Sequence, residues 1–381
     1  MFHPPFDHCF WFIPALLIGS CIGSFLNVVI YRLPLGMSVN DPNRSFCPKC
    51  KYHFPMWLNL PVISWIWLRG KCANCKETIS IRYPAVELLT GLLFAAMWWV
   101  VQQQGAPPLA VLFLWIFVSL LVAITFIDAD HMIIPTALTW AGSVVGLIGA
   151  AVWPLQSNMA GYLDGRWDGL IDSAIGFAVG FFGLWGVVNL GKLAFGKRQM
   201  HFESAEAWHL EEPDNEVDPL LFIIEKEKIE WWDLFNRPSD RLLIECAEIR
   251  VDGEAQEGGC LVIREQEIEL PDGSVRSIGE MKSLDGTATR VTIPREAMGF
   301  GDVHLMGMIG AFLGWGGAIY TLFAASLLAL LAAIIYRVGF GRNLPFGPYL
   351  AMAAITWVLG GWKIWNWYML YLGPLWIGPE L

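Results

Sequence analysis

The chain has 381 residues, of which 55% are hydrophobic and only 16% charged. Soluble domains average about 25% charged residues, so a single water-soluble globule is excluded, as are a disordered and a collagen-like chain. The formal net charge of −10 is unevenly spread: Lys197 to Met298 hold 12 Lys and Arg against 24 Asp and Glu, a local net of −12. An acidic, water-soluble insert therefore interrupts a nearly neutral, apolar protein, and no basic excess points to a nucleic-acid partner.

A helix needs about 20 apolar residues to cross a bilayer, and lipid supplies no water to free backbone groups. Runs of this kind predict eight membrane helices, at 10–30, 84–101, 108–127, 134–154, 170–190, 303–314, 319–336 and 349–370, the sixth being short. The first is not a cleavable secretory signal, because no basic segment precedes it and no A-x-A-like site follows. Lys and Arg concentrate after the first helix (Arg32, Arg44, Lys49, Lys51, Arg69, Lys71, Lys76, Arg82) and recur at Lys192, Arg337 and Arg342, against Arg166 and Lys363 on the other side. The richer side is cytoplasmic by the positive-inside rule, which places both termini outside.

Two hydrophilic pieces remain, 33–83 and 197–298. In the second, 203–233 mixes charged and apolar positions and is expected to be helical. Alternating runs at 242–251, 260–270, 275–278 and 290–293 predict strands, and Pro271-Asp272-Gly273-Ser274 predicts a hairpin turn.

Cys47-Pro-Lys-Cys50 and Cys72-Ala-Asn-Cys75 are two C-x-x-C pairs 21 residues apart. Two such knuckles supply the four soft ligands of tetrahedral zinc, at nearly the zinc-ribbon spacing. The rival readings are two disulfides, which are rare on a reducing side, and unrelated surface thiols. A closed four-thiolate shell is structural rather than catalytic. The fold class expected is an all-α polytopic membrane protein of about eight transmembrane helices, with a cytoplasmic zinc-ribbon-like loop and a small β-rich insert. Its parts are 1–32, 33–83, 84–196, 197–298 and 299–381.

Ionisable residues at membrane depth are costly, so each is a functional candidate. Asp128-Ala129-Asp130-His131 ends the third predicted helix and Gly299-Phe300-Gly301-Asp302 opens the sixth. Two carboxylates sharing a dry site do not both ionise readily, so one can act as acid and the other as base on a water. The alternative is that these are ordinary cap residues at helix ends, and Asp128 and Asp130 compete for one role. His131 and His304 read as interface residues rather than bases. No serine-hydrolase, metalloprotease, P-loop or dinucleotide-binding motif is present.

Several motifs, in order, resemble those of the bacterial prepilin peptidase family. They are Gly23-Ser24-Phe25-Leu26-Asn27, Cys47-Pro-x-Cys50, Pro61-Val62-Ile63-Ser64-Trp65, Arg69-Gly70-Lys71-Cys72-x-x-Cys75, Ile81-Arg82-Tyr83-Pro84-x-Val86-Glu87, Ile127-Asp128-Ala129-Asp130, Gly299-x-Gly301-Asp302 and Pro345-Phe346-Gly347-Pro348. The resemblance implies an intramembrane aspartic peptidase of the GxGD type in the bacterial inner membrane. Its dyad would be Asp128 and Asp302, with Gly299, Gly301 and Asp130 in the active-site loop. Its substrates would be type IV prepilins or pseudopilins, cut after a glycine at the cytoplasmic face. It further implies N-methylation of the new terminus from S-adenosylmethionine, with Gly70 and Lys71 at positions tied to that activity and zinc as the structural metal. Where the family often has Pro-Asp after the first motif this chain has Pro135-Thr136, and where it usually has Lys two residues after the G-x-G-D aspartate this chain has His304. The insert of about 100 residues falls where a short loop is common; its acidity suits contact with a basic leader or a pilus or secretion assembly protein. A peptidase without methylation, a proton-path transporter and a non-catalytic scaffold are the rival readings.

Overall fold

The apolar runs form helices whose outward faces are themselves apolar. The computed structural model describes residues 11–40, 46–47, 49–55, 58, 60–153, 166–195, 197–211, 220–225, 227–235, 240–294, 299–337 and 344–376. Among these residues, five helices are long and apolar enough to cross a membrane: Phe12–Arg32, Arg82–Gln103, Pro108–His131, Trp167–Gly191 and Phe300–Ile335; Thr136–Val152 is shorter. Leu112, Ile116, Val144, Ile148, Phe323 and Leu330 stand on the surface of these helices, a burial pattern that lipid satisfies and water does not. The chain is a multi-pass membrane protein. Two hydroxyls inside it return to the preceding helical turn, as is usual: Ser119 Oγ donates to the Trp115 carbonyl at 2.7 Å and Ser143 Oγ to the Thr139 carbonyl at 2.8 Å.

The chain divides into two compact units, Met1–Trp185 with Gly299–Leu381, and Gly186–Met298. In the first, α1 (Phe12–Arg32) packs along α3 (Arg82–Gln103), with the short α2 (Ile63–Trp67) between them in sequence. The seam is made of small residues: a methyl on Gly19 would meet Phe94 at 2.7 Å, and one on Gly23 would meet the Glu87 Cα at 2.7 Å. Such residues let backbones approach where lipid provides no hydrophobic drive. Next come α4 (Val111–His131), α5 (Thr136–Val152), α6 (Arg166–Phe195), α8 (Phe300–Ile335) and α9 (Gly347–Thr356), then a π-helical turn at Trp357–Gly361 and α10 (Trp362–Trp376). Helix α8 packs on α5 and α9, and α9 on α4; Phe117 stacks on Phe312 at 4.5 Å.

The predicted sixth and seventh membrane helices belong to one element, α8, interrupted at Gly314 (φ 70°, ψ 179°). The backbone freed there is not left bare, because the buried Asp172 of α6 accepts the Trp315 N–H. Gly176 and Gly180 of α6 lie against the Gly310 and Met306 carbonyls, so close that any side chain there would overlap them.

The second unit contains a nine-stranded antiparallel sheet: β1 (Lys197–Glu211), β2 (Leu221–Ile224), β3 (Glu227–Glu230), β4 (Leu242–Val251), β5 (Glu254–Gln256), β6 (Gly259–Ile263), β7 (Glu267–Glu269), β8 (Val275–Ser277) and β9 (Leu284–Pro294). The spatial order is β3-β2-β1-β9-β4-β6-β7-β8, with β5 on β4. Its first and last strands pair, Lys197 opposite Pro294, which lets a domain be inserted into a chain with its two ends side by side. The expected helix at 203–233 is corrected: strands occupy the described part, and only α7 (Trp231–Leu234) is helical. The register of β1 shifts between His201 and Glu206. This bulge breaks the two-residue alternation and makes the sequence look unlike a strand. The predicted hairpin turn is present, with Gly273 at φ 84° and Asp272 Oδ1 accepting the Ser274 N–H at 2.8 Å. Trp208, Phe222, Ile244, Ile249 and Val291 fill the core. Cys246 is buried beside them, and burial pushes its thiol up to about 12.

Candidate active site and cysteine cluster

Asp128 lies in the last turn of α4 and Asp302 in the first turn of α8. Gly301 brings the two ends together: a methyl on it would stand 2.8 Å from the Ile134 Cβ, so only glycine lets the start of α8 press on the α4–α5 turn. Gly299 is different, since a methyl there would meet nothing nearer than its own Asp302 carboxylate at 3.7 Å. The two aspartates are 5% and 8% exposed, and the charge on Asp128 acts on Asp302. Asp128 Oδ2 accepts the Gly347 N–H at 2.9 Å. That donor is at the start of α9, where the helix end carries partial positive charge, and a methyl on Gly347 would overlap the carboxylate at 2.7 Å. Asp302 Oδ1 is buried and has no hydrogen-bond partner among the described residues.

Asp130 is not part of this pair. It is exposed and meets Arg82 of α3 at 2.6 Å. Arg82 also lies over the Phe126 ring at 5.1 Å. His131 is exposed. His304 is ringed by Trp140, Phe181 and Phe300 at centroid distances of 5.5, 5.3 and 4.9 Å, an aromatic packing position.

The four cysteines of the two C-x-x-C pairs converge, their sulfurs all within 4.8 Å of one another. Cys47 and Cys75 are 3.8 Å apart and Cys50 and Cys72 3.9 Å. A tetrahedron with metal–sulfur bonds of about 2.3 Å has edges of about 3.8 Å, so the cluster fits a zinc ion. A disulfide would need sulfurs about 2.05 Å apart. The two knuckles repeat one backbone design. Lys51 and Lys76 follow the second cysteine of each at φ 57° and 60°. Their N–H groups return to the Cys47 and Cys72 carbonyls at 2.9 and 3.2 Å. The Tyr52 N–H is aimed at Cys50 and draws its thiol down to about 6. At Cys75 the matching Glu77 N–H acts the same way, but burial and three neighbouring thiols outweigh it and push this thiol up to about 12. A cation among the sulfurs would relieve that repulsion. Lys49 and Glu77 tie the knuckles together at 2.7 Å.

A cavity of about 410 Å³ lies beside the cluster. Asn27, Tyr31, Trp65, Tyr83 and Glu87 are among its walls. Neither Gly70 nor Lys71 lines it. Lys71 is exposed, whereas Gly70 (φ +68°) backs onto the Trp65 ring, where a methyl would approach to 2.9 Å. Sequence reasoning did not assign a role to Gly347, Glu87 or Asp172. A carboxylate inside an apolar run was the available signal for the last two.

These features are those of a family of membrane peptidases. Residues 17–101 match the Bacterial Peptidase A24 N-terminal domain, and 115–199 with 286–334 match the Type IV leader peptidase family. The chain belongs to that family. It is 27% identical to the prepilin leader peptidase/N-methyltransferase of Neisseria gonorrhoeae over 94% of each chain. The protein of that name from Dichelobacter nodosus is 34% identical over 49% of this chain and 68% of its own, and that of Myxococcus xanthus 42% identical over 42% and 44%. No solved structure matches. The leader-peptidase match includes Asp128 and Asp302 and omits 200–285, which lie within the second unit.

The two glycines before Asp302 should respond differently to added bulk. Gly301→Val overlaps Ile134 and is expected to destabilise by roughly 1–3 kcal/mol, whereas Gly299→Ala should melt close to the wild type in detergent. Equal melting temperatures for the two variants would contradict the packing described here.

Proposed function

We propose that the chain is an intramembrane aspartic endopeptidase that removes the leader of type IV prepilins or pseudopilins and then methylates the new N-terminus. The observation that carries this reading is the buried pair Asp128 and Asp302 in a chain of the leader peptidase family. Asp128, already receiving the Gly347 N–H, holds and activates a water. That water adds to the scissile carbonyl and gives its proton to Asp128. Asp302, with its unpartnered oxygen, protonates the departing amine. Both are general acid–base roles without a covalent intermediate. The exposed ion pair of Asp130 with Arg82 supports leaving Asp130 out of this chemistry. Gly299, at the cap of α8, and Gly301, in its first turn, present Asp302 to the substrate.

The Lys and Arg distribution supports cleavage at the cytoplasmic face of the bacterial inner membrane, with about eight membrane segments. The part at 33–83 is the methylation region, braced by a structural zinc on Cys47, Cys50, Cys72 and Cys75. S-adenosylmethionine would supply the methyl group there. Gly70 acts through Trp65, which it backs, and Lys71 from the adjoining surface. The insert at 197–298 recognises the basic leader or an assembly protein through its negative charge.

Cleavage of a co-expressed prepilin is expected to fall about 10²–10⁴-fold in Asp128→Asn and in Asp302→Asn and to persist in Asp130→Asn. Gel shift and mass of the pilin read this out, and full cleavage by both Asp128→Asn and Asp302→Asn would remove the mechanism. Elemental analysis of purified protein should find about one zinc per chain, lost in Cys47→Ser with Cys72→Ser; metal-free protein with four freely reactive thiols would exclude the cluster. Replacing 197–294 by a short linker should slow cleavage of prepilins with basic leaders; unchanged rates on every native prepilin would leave the insert without this role.

A further inference from the structure

The cavity beside the cysteine cluster has a composition that the peptidase chemistry does not use. Two carboxylates line it, Glu77 and Glu87, and Glu87 is the buried one, 9% exposed. Glu87 Oε2 accepts the Val62 N–H at 2.6 Å. Val62 has φ 61°, a conformation a β-branched residue adopts only when its surroundings impose it. Glu87 is the group that holds it there. The strained residue starts α2 and so places Trp65, whose Nε1 donates to the Ile79 carbonyl at 3.0 Å. Asn27 Nδ2 donates to the Tyr83 carbonyl at 3.1 Å, fixing the opposite wall. The result is a preformed hollow with aromatic sides and a buried carboxylate, with the buried Arg32, Lys49 and the second carboxylate Glu77 also in its walls. Its volume is within the range of small-molecule sites, about 300–1,000 Å³.

We propose that this cavity binds the methyl donor, with Glu87 and the Trp65 and Tyr31 rings facing its sulfonium. The inference rests on the methylation reading above and gives it a location. A compact cation is attracted by a buried carboxylate and by aromatic faces, and a flat purine suits apolar and aromatic walls. The cations Arg32 and Lys49 suit the donor's own carboxylate. The neutral product of methyl transfer lacks the positive charge, so the same cavity would hold it less tightly and release it. Leu26, Val86 and Ile127 belong to one buried cluster joining α1, α3 and α4. Asn27 and Glu87, in the cavity wall, follow the first two in the chain, and Asp128 follows the third.

The test is equilibrium binding of S-adenosylmethionine and of neutral S-adenosylhomocysteine to the full chain in detergent. Glu87→Gln keeps an acceptor for the Val62 N–H but removes the charge. It is expected to weaken the sulfonium ligand about tenfold and the neutral one less than about twofold. Leu60→Trp, which adds bulk from an exposed lining position, should weaken both. Zinc content measured alongside verifies that the knuckles remain folded. Wild-type affinity for both ligands in both variants would overturn the cavity assignment while leaving methylation standing. Absence of binding to the wild type would overturn it together with the methylation reading. Neither outcome bears on cleavage by the aspartate pair.

Discussion

Burying a carboxylate among membrane helices requires a donor for its oxygens, and most of the first unit is organised around meeting that need. Four acidic side chains are buried among the described residues: Glu87, Asp128, Asp172 and Asp302. Three of them accept a backbone N–H at a point where the chain leaves regular helix: Val62, Gly347 and Trp315 respectively. An unpaired buried charge is strongly unfavourable, so each pairing fixes a joint of the fold. Asp172 fixes the break in α8, Glu87 the strained turn before α2, and Asp128 the start of α9. Asp302 is the exception, with an oxygen that finds no donor among the described residues. Trp98 Nε1, Gln104 Oε1, Thr321 Oγ1 and Trp357 Nε1 also lack a partner among the described residues, but of these atoms the Asp302 oxygen belongs to a carboxylate, the group for which a missing partner is most costly and most in need of an outside molecule.

Those pairings depend on backbones coming unusually close, and glycine is what permits it. Gly301 against Ile134 and Gly347 against Asp128 define the aspartate pair from two directions. Gly176 and Gly180 against the Gly310 and Met306 carbonyls hold α6 to α8, which in turn keeps Asp172 at the Gly314 break. In a bilayer, where apolar side chains gain little by leaving lipid, close contact of this kind supplies much of the helix association. The site is thus as rigid as the glycine seams on either side of it.

What the sequence disclosed follows the range of each interaction. The cysteine pairs were legible because a knuckle is closed within four residues, and their convergence repeats one local turn twice. The choice between Asp128 and Asp130 was not legible, since residues two apart on a helix point to nearly opposite faces. Which face is inward depends on α9 and on Arg82, both remote in the chain. The resemblance named Asp128, and the structure gives the physical difference: one receives the Gly347 N–H and the other the half-buried Arg82 guanidinium. The strands of the insert were legible where alternation is strict, as in β4, and misread as helix in β1, where a bulge shifts the phase. The break at Gly314 was read as a gap between two helices. Composition shows that the apolar run is interrupted there but not that Asp172, some 140 residues earlier, caps the interruption.

Two chemistries on one substrate terminus pose a problem of order. Peptide hydrolysis needs the scissile bond held in a dry pocket between α4, α8 and α9, whereas a methyl donor is a large, charged, water-soluble molecule. A single pocket for both would have to admit water and solute to the carboxylates, weakening the electrostatic coupling between them. Separate chambers avoid that conflict. Only a short transfer is then required of the product, because cleavage leaves its new amine on a free chain end while its apolar helix stays in the bilayer. The Arg82–Asp130 contact joins the helix that lines the cavity to the helix that carries Asp128. Its two partners are about one-third exposed, a setting in which an ion pair contributes roughly 0–1 kcal/mol. The packing of the two helices on each other, rather than this pair, therefore sets where they rest.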